Sequence, residues 1–279
     1  MRRIFCGTVL VLLLISMLTL TFDIQPVKST WTGTVYIRAD GSIDPPDAAI
    51  TTYDYVTYRL TDNISSTADG IVVERDNIII VGEGYTVEGT GAHPYGGIDL
   101  SNRVNVTIQN INIQSFWYGI YLNYSSNNSI SENNITANNG YGIWLVCSSN
   151  NTITGNTFTY NGLVVLGSYM NSVENNTVNG KPLIYLEGVA NYSISDAGQV
   201  ILVRCNNIRV ENLNLFKTDG GVQLWETNNT IISANNITAN YGHGIYLWHS
   251  SNNTIMAVSY THLRAHETRH DLVCRLLLE

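Results

Sequence analysis

The sequence has few charged residues, few prolines and few cysteines. Charged side chains make up 13% of its 279 residues, and it contains five prolines and four cysteines. Cys6 and Cys274 lie near the two ends, so Cys147 and Cys205 form an isolated pair, which argues against a disulfide framework. The 44% hydrophobic content is sufficient for a core, so we do not expect disorder.

Basic residues are scarce in the central part of the chain. Between Thr30 and Ala257 there are 8 Lys or Arg residues and 18 Asp or Glu residues, which gives a formal charge of −10. An acidic surface disfavours binding to nucleic acid or to an anionic membrane. Neutral glycans, cations and other proteins remain as partners, and we expect a monomer.

One long hydrophobic run is present, at the start of the chain. Arg2 and Arg3 precede an apolar run from Ile4 to Leu20, and a polar stretch follows near Val27 to Thr30. This layout predicts a secretory signal over residues 1–29, which is either removed or kept as an anchor. We therefore expect a secreted or cell-surface protein without other membrane insertion.

Helical periodicity is absent from the middle of the chain, where a Gly-aliphatic-x-aliphatic segment recurs instead. The segments are GIVV from Gly70, GIDL from Gly97, GIYL from Gly119, GIWL from Gly142, GLVV from Gly162, GVQL from Gly221 and GIYL from Gly244. Their intervals are 22, 23 and 20 residues from Gly97 to Gly162, and 23 residues for the last pair. A further coil at Gln199 and an insertion around NGKPLIYLEG fill the gap. Such a period predicts a solenoid.

A second, Asn-rich block follows in each repeat, as in NNSISENNI from Asn127. It has Ile or Val at the fourth place and Ile, Leu or Phe at the ninth, which predicts two short strands separated by turns. The sequence therefore predicts an all-β fold, a right-handed parallel β-helix of about eight coils stacked at ~4.8 Å. We expect an N-terminal cap over residues 30–69 and repeats over residues 70–257.

One asparagine recurs at the same place in successive blocks. These asparagines are Asn133, Asn156, Asn176 and Asn235. Asn tolerates the left-handed conformation, and its amide can hydrogen-bond to the equivalent amide one coil away, so we predict a structural ladder. The same register places Cys147 and Cys205 two coils apart, about 10 Å, which is too far for a disulfide and predicts buried free thiols.

Three longer segments carry a family resemblance. They are GIYLNYSSNNSISENNITANNGYGIWL, the insertion NGKPLIYLEGVANYSISDAGQVILVRCNNIRVENLNL, and the opening GTVYIRADGSIDPPDAAITTYDYVTYRLTDNI. Together they resemble the exported NosD-like parallel β-helix proteins of the carbohydrate-binding and sugar-hydrolase repeat family, in particular the archaeal surface members. The resemblance covers Thr34 to Ile255 and implies the fold, whereas the family includes both enzymes and binders and so implies no single activity.

The strand register identifies the outward side chains of the first strand in each coil. One outward column contains Asp99, Tyr121, Trp144, Val164, Gln223 and Tyr246, and a second contains Ser101, Asn123, Val146, Leu166, Trp225 and Trp248. Exposed aromatic rings beside polar side chains suit a sugar chain. We predict polysaccharide binding by Asp99, Tyr121, Trp144, Trp225, Tyr246 and Trp248. Alternatively, the aromatic residues stabilise the sheet face of a structural or adhesion module.

Catalytic residues are not evident. The stretches TDGG at Thr218 and GHG from Gly242 provide only weak candidates, Asp219 and His243. In the repeat alignment His243 corresponds to Gly220, so the two candidates are offset, and no second carboxylate completes an acid/base pair. If the protein is an enzyme, we expect a polysaccharide lyase or glycoside hydrolase with catalytic residues in coils that this sequence does not contain.

The motif HETRH has the H-E-x-x-H pattern of zinc proteases, with His266, Glu267 and His270. It lies in Val258 to Glu279, a segment without Asn or Gly that is foreign to the repeat. This tail resembles the translation of sequencing-adapter read-through, which predicts that the native protein continues past Met256 with further coils. We therefore reject the zinc site, and since His, Met and Cys do not cluster in the repeats, we expect no copper and no other cofactor.

Overall fold

The computed structural model describes residues 30–260 and 273–275. These residues form 33 short strands and no helix, and all strand pairs are parallel except three. The fold is a right-handed parallel β-helix of about 9 coils with a spacing of about 22 residues, which confirms the predicted fold class. Within the described ranges, no helix is long and apolar enough to cross a membrane.

The first stack of coils has three sheets. Its floor sheet consists of β2 (Val35–Ile37), β7 (Ile71–Val73), β10 (Gly96–Asp99), β13 (Tyr118–Asn123), β16 (Tyr141–Val146) and β19 (Leu163–Leu166), with β3 (Ile43–Asp44) antiparallel to β2. The second sheet consists of β5 (Thr57–Leu60), β8 (Ile79–Val81), β11 (Thr107–Gln109), β14 (Ser129–Ser131), β17 (Thr152–Thr154) and β20 (Ser172–Glu174), with β4 (Ile50–Thr52) antiparallel to β5. The third sheet consists of β1 (Thr30–Thr32), β6 (Asn63–Ser65), β9 (Thr86–Glu88), β12 (Asn112–Gln114), β15 (Asn134–Thr136), β18 (Thr157–Thr159) and β21 (Thr177–Val178).

The second stack also has three sheets. Its wall sheet continues the third sheet of the first stack through the pairing of β21 with β22. It consists of β22 (Lys181–Glu187), β24 (Gln199–Val203), β27 (Gly220–Trp225) and β30 (His243–Trp248). The next sheet consists of β23 (Ala190–Ile194), β25 (Asn206–Glu211), β28 (Ile231–Ser233), β31 (Thr254–Met256) and β33 (Val273–Arg275). The last consists of β26 (Asn214–Phe216), β29 (Asn236–Thr238) and β32 (Ser259–Tyr260).

Several predicted segments lie at the ends of the chain. Residues 30–69, the predicted cap, extend the three sheets of the first stack through β1 to β6. The predicted signal over residues 1–29 and the HETRH motif lie outside the described residues. Of the tail after position 257, β32 and β33 are described, and both pair in parallel with strands of the second stack.

The chain reverses direction between the two stacks. β22 runs antiparallel to β21, with Lys181 opposite Val178. The turn contains Asn179 and Gly180 at φ 50° and 79°, a left-handed conformation that Asn and Gly adopt at low cost. The insertion NGKPLIYLEG, which the sequence placed in the gap between repeats, contains this reversal and the whole first strand of a second stack.

The wall sheet covers the end of the first stack. From one face of the sheet, Val200 and Leu202 belong to the core of the second stack. From the other face, Ile201, Val203 and Trp225 belong to the core of the first stack. An open β-helix end would expose an unpaired sheet edge and its apolar interior, so the second stack acts as the cap of the first.

Two glutamine side chains complete the hydrogen bonding of β19, the last strand of the floor sheet. Gln199 Oε1 accepts from Leu163 N–H at 3.0 Å, and Gln199 Nε2 donates to the Leu163 carbonyl at 2.8 Å. Gln223 makes the same pair of bonds with Val165. The side-chain amides replace the backbone of a neighbouring strand. Gln223, which the sequence placed in an outward column, is therefore buried between the stacks.

Asparagine amides form ladders along the first stack. Asn133 Nδ2 donates to Asn156 Oδ1, and Asn156 Nδ2 donates to Asn176 Oδ1, both at 3.0 Å. This geometry confirms the predicted ladder for three of its four members. Asn235 lies in the second stack, where its amide bonds to backbone groups.

The two central cysteines are free, as predicted. Cys205 is buried, but Cys147 is exposed, so the prediction of two buried thiols is half wrong. Cys147 lies in a left-handed turn with φ 47° directly after β16, at a corner of the coil rather than on an inward-facing strand position.

Candidate functional site

The predicted outward column exists on the floor sheet. In the strand register, Asp99 pairs with Tyr121, and Tyr121 pairs with Trp144. Trp144 in turn pairs with Val164 on the last strand. The remaining two members of the predicted column lie on the wall sheet, because the chain reversal separates the later coils from this row.

A bend at Gly119 and another at Gly142 each bring a second aromatic residue to the outer face. An added Cβ at Gly119 would lie only 2.4 Å from a carbonyl oxygen of the next coil, so this position faces a crowded interior that admits only glycine. Gly119 and Ile120 are therefore both directed inward. The residues that flank them, Tyr118 and Tyr121, both reach the outer face, where their rings stack at 5.1 Å.

Four side chains form an aromatic stack on the floor sheet. They are Tyr118, Tyr121, Tyr141 and Trp144. The ring centroids of Tyr118 and Trp144 are 4.8 Å apart with an interplanar angle of 28°, so neighbouring rings cover one another's faces. Sequence reasoning missed Tyr118 and Tyr141. The aromatic residue before each glycine in Y-G-I-Y and Y-G-I-W was the signal that identifies them.

The aromatic stack ends at Trp144 on one side and at Tyr121 on the other, and both residues are half-buried. Beyond Trp144 the row continues with Val164, and beyond Tyr121 it continues with Asp99. Neither of these residues carries an aromatic ring, so the aromatic stack does not continue. A pocket borders each end, the corner pocket beside Trp144 and the acidic pocket beside Tyr121.

The corner pocket lies between the floor sheet and the wall sheet. Its lining residues are Tyr141, Trp144, Val164, Leu166, Asp219, Gly220, Val222, Gln223, His243 and Tyr246. Its cavity volume is about 120 Å³, and no Lys or Arg is part of this described lining. The structure therefore brings the predicted residues Trp144 and Tyr246 together with both weak catalytic candidates, Asp219 and His243.

Asp219 lies at the base of the corner pocket and ends a further asparagine ladder. Asn138 Nδ2 donates to Asn161 Oδ1 at 3.1 Å, and Asn161 Nδ2 donates to Asp219 Oδ1 at 3.2 Å. Asp219 Oδ2 accepts from the backbone N–H groups of Gly142 at 2.6 Å and Gly162 at 2.9 Å. Burial raises the pKa of Asp219 to about 7, and these hydrogen bonds oppose the shift.

His243 faces the same pocket from β30. It pairs with Gly220, which agrees with the offset from Asp219 in the repeat alignment. Its ring centroid is 5.2 Å from that of Tyr246. Because Asp219 is only 1% exposed and its carboxyl group bonds to the first stack, the geometry favours a structural role for Asp219 over a catalytic one.

The tyrosine hydroxyls at the site remain protonated. Burial raises the pKa of Tyr118 to about 12. Burial also raises the pKa of Tyr121, with a smaller contribution from the negative charge of Asp99. The pKa values of Tyr141 and Tyr246 are raised by burial in the same way. These phenols are therefore neutral groups that can both donate and accept hydrogen bonds.

The acidic pocket lies at the other end of the aromatic stack. Its lining residues are Asp69, Pro94, Tyr95, Gly96, Asp99, Tyr118 and Tyr121, around a volume of about 300 Å³. Asp69 Oδ1 accepts from Gly96 N–H at 2.7 Å, and Asp99 Oδ1 accepts from Ser101 N–H at 2.8 Å. Burial raises the pKa of Asp69, and the charge of Asp99 adds to the shift. Sequence reasoning missed Asp69, because it lies in the turn before Gly70 rather than in an outward strand column.

Trp225 and Trp248 lie apart from the two pockets. Their rings stack at 5.4 Å on the wall sheet, and Trp225 Nε1 donates to the Tyr169 hydroxyl at 2.9 Å. Trp225 is 8% exposed and belongs to the core of the first stack, with Trp248 packed against it. Trp225 is therefore a packing residue, and it is not exposed as the sequence predicted.

No group of three or more His, Cys, Asp or Glu side chains could hold a metal ion in the part of the chain that the structure describes. The rejected zinc motif, His266 to His270, lies outside that part.

Comparison with known proteins agrees with the solenoid. A family model for the right-handed beta helix region matches residues 62–196. The chain has the right-handed β-helix fold that this model describes. No curated protein matches its sequence. The matched segment contains the floor strands β7 to β19 and thus the aromatic stack.

The solved structures that are similar to this chain have low sequence identity to it. The catalytic domain of a GH87 alpha-1,3-glucanase has 11% identity and a TM-score of 0.42, and the alignment covers 87% of this chain and 63% of the glucanase chain. Alginate lyase from Paenibacillus sp. str. FPU-7 has 11% identity and a TM-score of 0.41, and the alignment covers 72% of this chain and 89% of the lyase chain. The enzymatically active domain of bacteriophage CBA120 tailspike protein 2 has 12% identity and a TM-score of 0.35, covering 73% of this chain. This chain spans 36% of that tailspike domain.

Proposed function

We propose that this β-helix protein is exported and binds a neutral polysaccharide at the two ends of the aromatic stack. The observation that supports this proposal is the position of Trp144 at the end of the aromatic stack, where it lines a pocket together with two tyrosines and a histidine. Pyranose rings present C–H groups that pack on aromatic faces, while their hydroxyls bond to the few polar groups of such a pocket. Tyr121 and Asp99 provide a similar combination in the acidic pocket.

The charge of the site favours a neutral glycan. Neither pocket has Lys or Arg in its described lining, whereas Asp69 and Asp99 place carboxyl groups in one of them. A polyuronate would bring further negative charge to this surface without a cation to pair with it, which is unfavourable in a partly buried site. Neutral hydroxyl groups, in contrast, can donate to the carboxylates.

The location of the protein, its oligomeric state and its individual sugar contacts are part of the same proposal. The resemblance to NosD-like archaeal surface proteins and the N-terminal apolar run support a secreted or cell-surface location. We propose a monomer that presents the site on one side of the first stack, without nucleic acid as a partner. Trp144, Tyr246, Tyr121 and Asp99 remain as proposed sugar contacts, to which we add Tyr118 and Tyr141.

A panel of free oligosaccharides tests this function. We expect at least one neutral hexaose of glucose, mannose or galactose to show saturation transfer from the full chain in NMR, and hexagalacturonate to show none. Trp144→Ala should weaken the calorimetric affinity about tenfold or more, because the indole face is lost. Tyr192→Ala removes a ring that is 53% exposed on the second stack and serves as the matched control.

The outcomes separate the alternatives. If no hexaose binds, or if both variants bind like the original chain, the glycan proposal is wrong and a packing role for the aromatic stack is left. New reducing ends in the same incubations, lost in Asp69→Asn, would instead indicate a glycoside hydrolase that uses the acidic pocket.

A further inference from the structure

The corner pocket is closed at one end by the second stack. The floor sheet ends at β19, whose free edge is occupied by two glutamine side chains of the wall sheet. From β30 of the wall sheet, His243 and Tyr246 line the pocket together with Trp144. The wall sheet therefore stands where a further coil of the first stack would continue the aromatic row.

This closure limits the path of a bound glycan. A sugar ring that packs on Trp144 has the aromatic stack on one side, in the direction of Tyr121. On the other side it meets the small residue Val164 and then the wall sheet. A linear chain can therefore leave the pocket along the floor sheet or into solvent, but it cannot continue past β19.

The pocket has room for part of one sugar ring. A water molecule occupies about 30 Å³ at liquid density. The corner pocket, at about 120 Å³, therefore holds roughly four waters, so it can enclose part of one sugar ring but not an oligosaccharide segment.

Polar groups of the aromatic residues are also present at the corner pocket. Trp144 Nε1 is buried and makes no hydrogen bond within the described protein. Buried N–H groups are nearly always paired, because an unpaired one loses its bond to water without replacement. The neutral phenols of Tyr141 and Tyr246 line the same pocket and can hydrogen-bond to the hydroxyls of a terminal sugar.

We infer that the corner pocket takes the terminal residue of a neutral glycan, so that the protein binds chain ends rather than internal segments. The inference rests on the proposed glycan-binding function and makes it more specific. Reducing and non-reducing ends share the chemistry that the pocket recognises, and the test below distinguishes them.

Blocked hexaoses provide the test. Linear maltohexaose, cellohexaose, laminarihexaose and mannohexaose are titrated into the full chain in three forms by calorimetry. The forms are unmodified, coupled at the reducing end to 2-aminobenzamide, and capped at the non-reducing end with a 4,6-O-benzylidene group. For the hexaose that binds, we expect one of the two blocked forms to bind at least tenfold more weakly, and that form identifies the end.

Two variants connect the effect to the pocket. Val164→Tyr fills the cavity next to Trp144 and should abolish the difference between blocked and free hexaoses together with most of the affinity. His243→Ala opens the wall and should reduce the discrimination at least threefold. Tyr192→Ala, far from the pocket on β23, should change neither quantity.

Each result decides between two proposals. Equal affinities for the free form and both blocked forms would overturn the chain-end inference and leave the glycan-binding function intact. If none of the four unmodified hexaoses binds and the galactose hexaose of the first panel does not bind either, the proposed function fails, and the chain-end inference fails with it. Discrimination that persists in Val164→Tyr would also overturn the inference, since the selective site would then lie elsewhere.

Discussion

At the scale of single residues, Asp219 shows why a carboxyl group ends an asparagine ladder. Three N–H donors converge on it, from Gly142 and Gly162 to one oxygen and from Asn161 to the other. An amide offers only one acceptor oxygen, so only a carboxyl group can accept all three bonds. The consequence is a buried acid whose pKa is about 7.

The titration of Asp219 predicts a pH-dependent stability. The folded-state pKa of about 7 lies above the unfolded value of about 4. The folded protein therefore binds the proton more strongly, and its stability falls as the pH rises from 4 to 7. This loss amounts to at most about 1.4 kcal/mol per pH unit, or roughly 2 kcal/mol between pH 5 and 7.

The substitution Asp219→Asn should remove this part of the pH dependence. We expect the free energy of unfolding, measured in urea at pH 5, 6, 7 and 8, to fall less steeply for the variant. Asp196→Asn changes a carboxylate that is 63% exposed and is the control. Parallel curves for the original chain and Asp219→Asn would show that the buried carboxyl does not titrate in this range.

At the scale of elements, the edge of β19 depends on side chains from another stack. Gln199 bonds to both the N–H and the carbonyl of Leu163, which are buried. Gln199→Leu keeps the approximate volume but leaves both groups unpaired, at a cost of about 1–3 kcal/mol each. We therefore expect a loss of about 2–4 kcal/mol in unfolding free energy.

The control for this change is Gln109→Leu on β11, where the side chain is half-buried on the outside of a coil. It should alter the unfolding free energy by less than about 0.5 kcal/mol. Amide hydrogen exchange at Leu163 should accelerate in Gln199→Leu and stay unchanged in the control. Unchanged stability in Gln199→Leu would mean that the edge of β19 does not need its amide partner.

Much of the element structure could be predicted from the sequence, because the repeat period determines which side chains stack. The row Asp99, Tyr121, Trp144 was correct for this reason. Tyr118 was missed because a strict two-residue alternation ignores the bend at Gly119, where two successive residues point inward. Both the correct row and the missed tyrosine depend only on contacts within the first stack.

The chain reversal and the corner pocket could not be predicted in the same way. GVQL at Gly221 repeats the pattern of the earlier coils, so the repeat gives no sign that this coil belongs to a second stack. Gln223 therefore counted as an outward residue, although its amide bonds to Val165 of the other stack. The pairing of stacks is a tertiary contact between sheets, and the local period carries no information about it.

At the scale of the whole molecule, the two stacks share a core. Trp225 is carried by the wall sheet of the second stack, yet it is buried with the first. The hydroxyl of Tyr169, in the first stack, accepts a hydrogen bond from the indole N–H of Trp225. The same hydroxyl donates to Glu226 Oε1 at 2.8 Å. Because each stack covers surface of the other, we expect them to unfold in one transition.

Trp225→Ala should destabilise both stacks together. Loss of this largely buried ring leaves a cavity and removes the indole donor to the Tyr169 hydroxyl, so we expect about 3–5 kcal/mol lower unfolding free energy in a single calorimetric transition. Hydrogen exchange should accelerate in peptides from β16 as well as from β27, whereas Tyr192→Ala should leave both unchanged. If only β27 and its neighbours exchange faster, or if two transitions appear, the stacks are independent units. The wall of the corner pocket could then move without unfolding of the floor sheet. The shared core instead predicts a pocket whose two sides keep one fixed geometry, which suits the recognition of a single sugar ring.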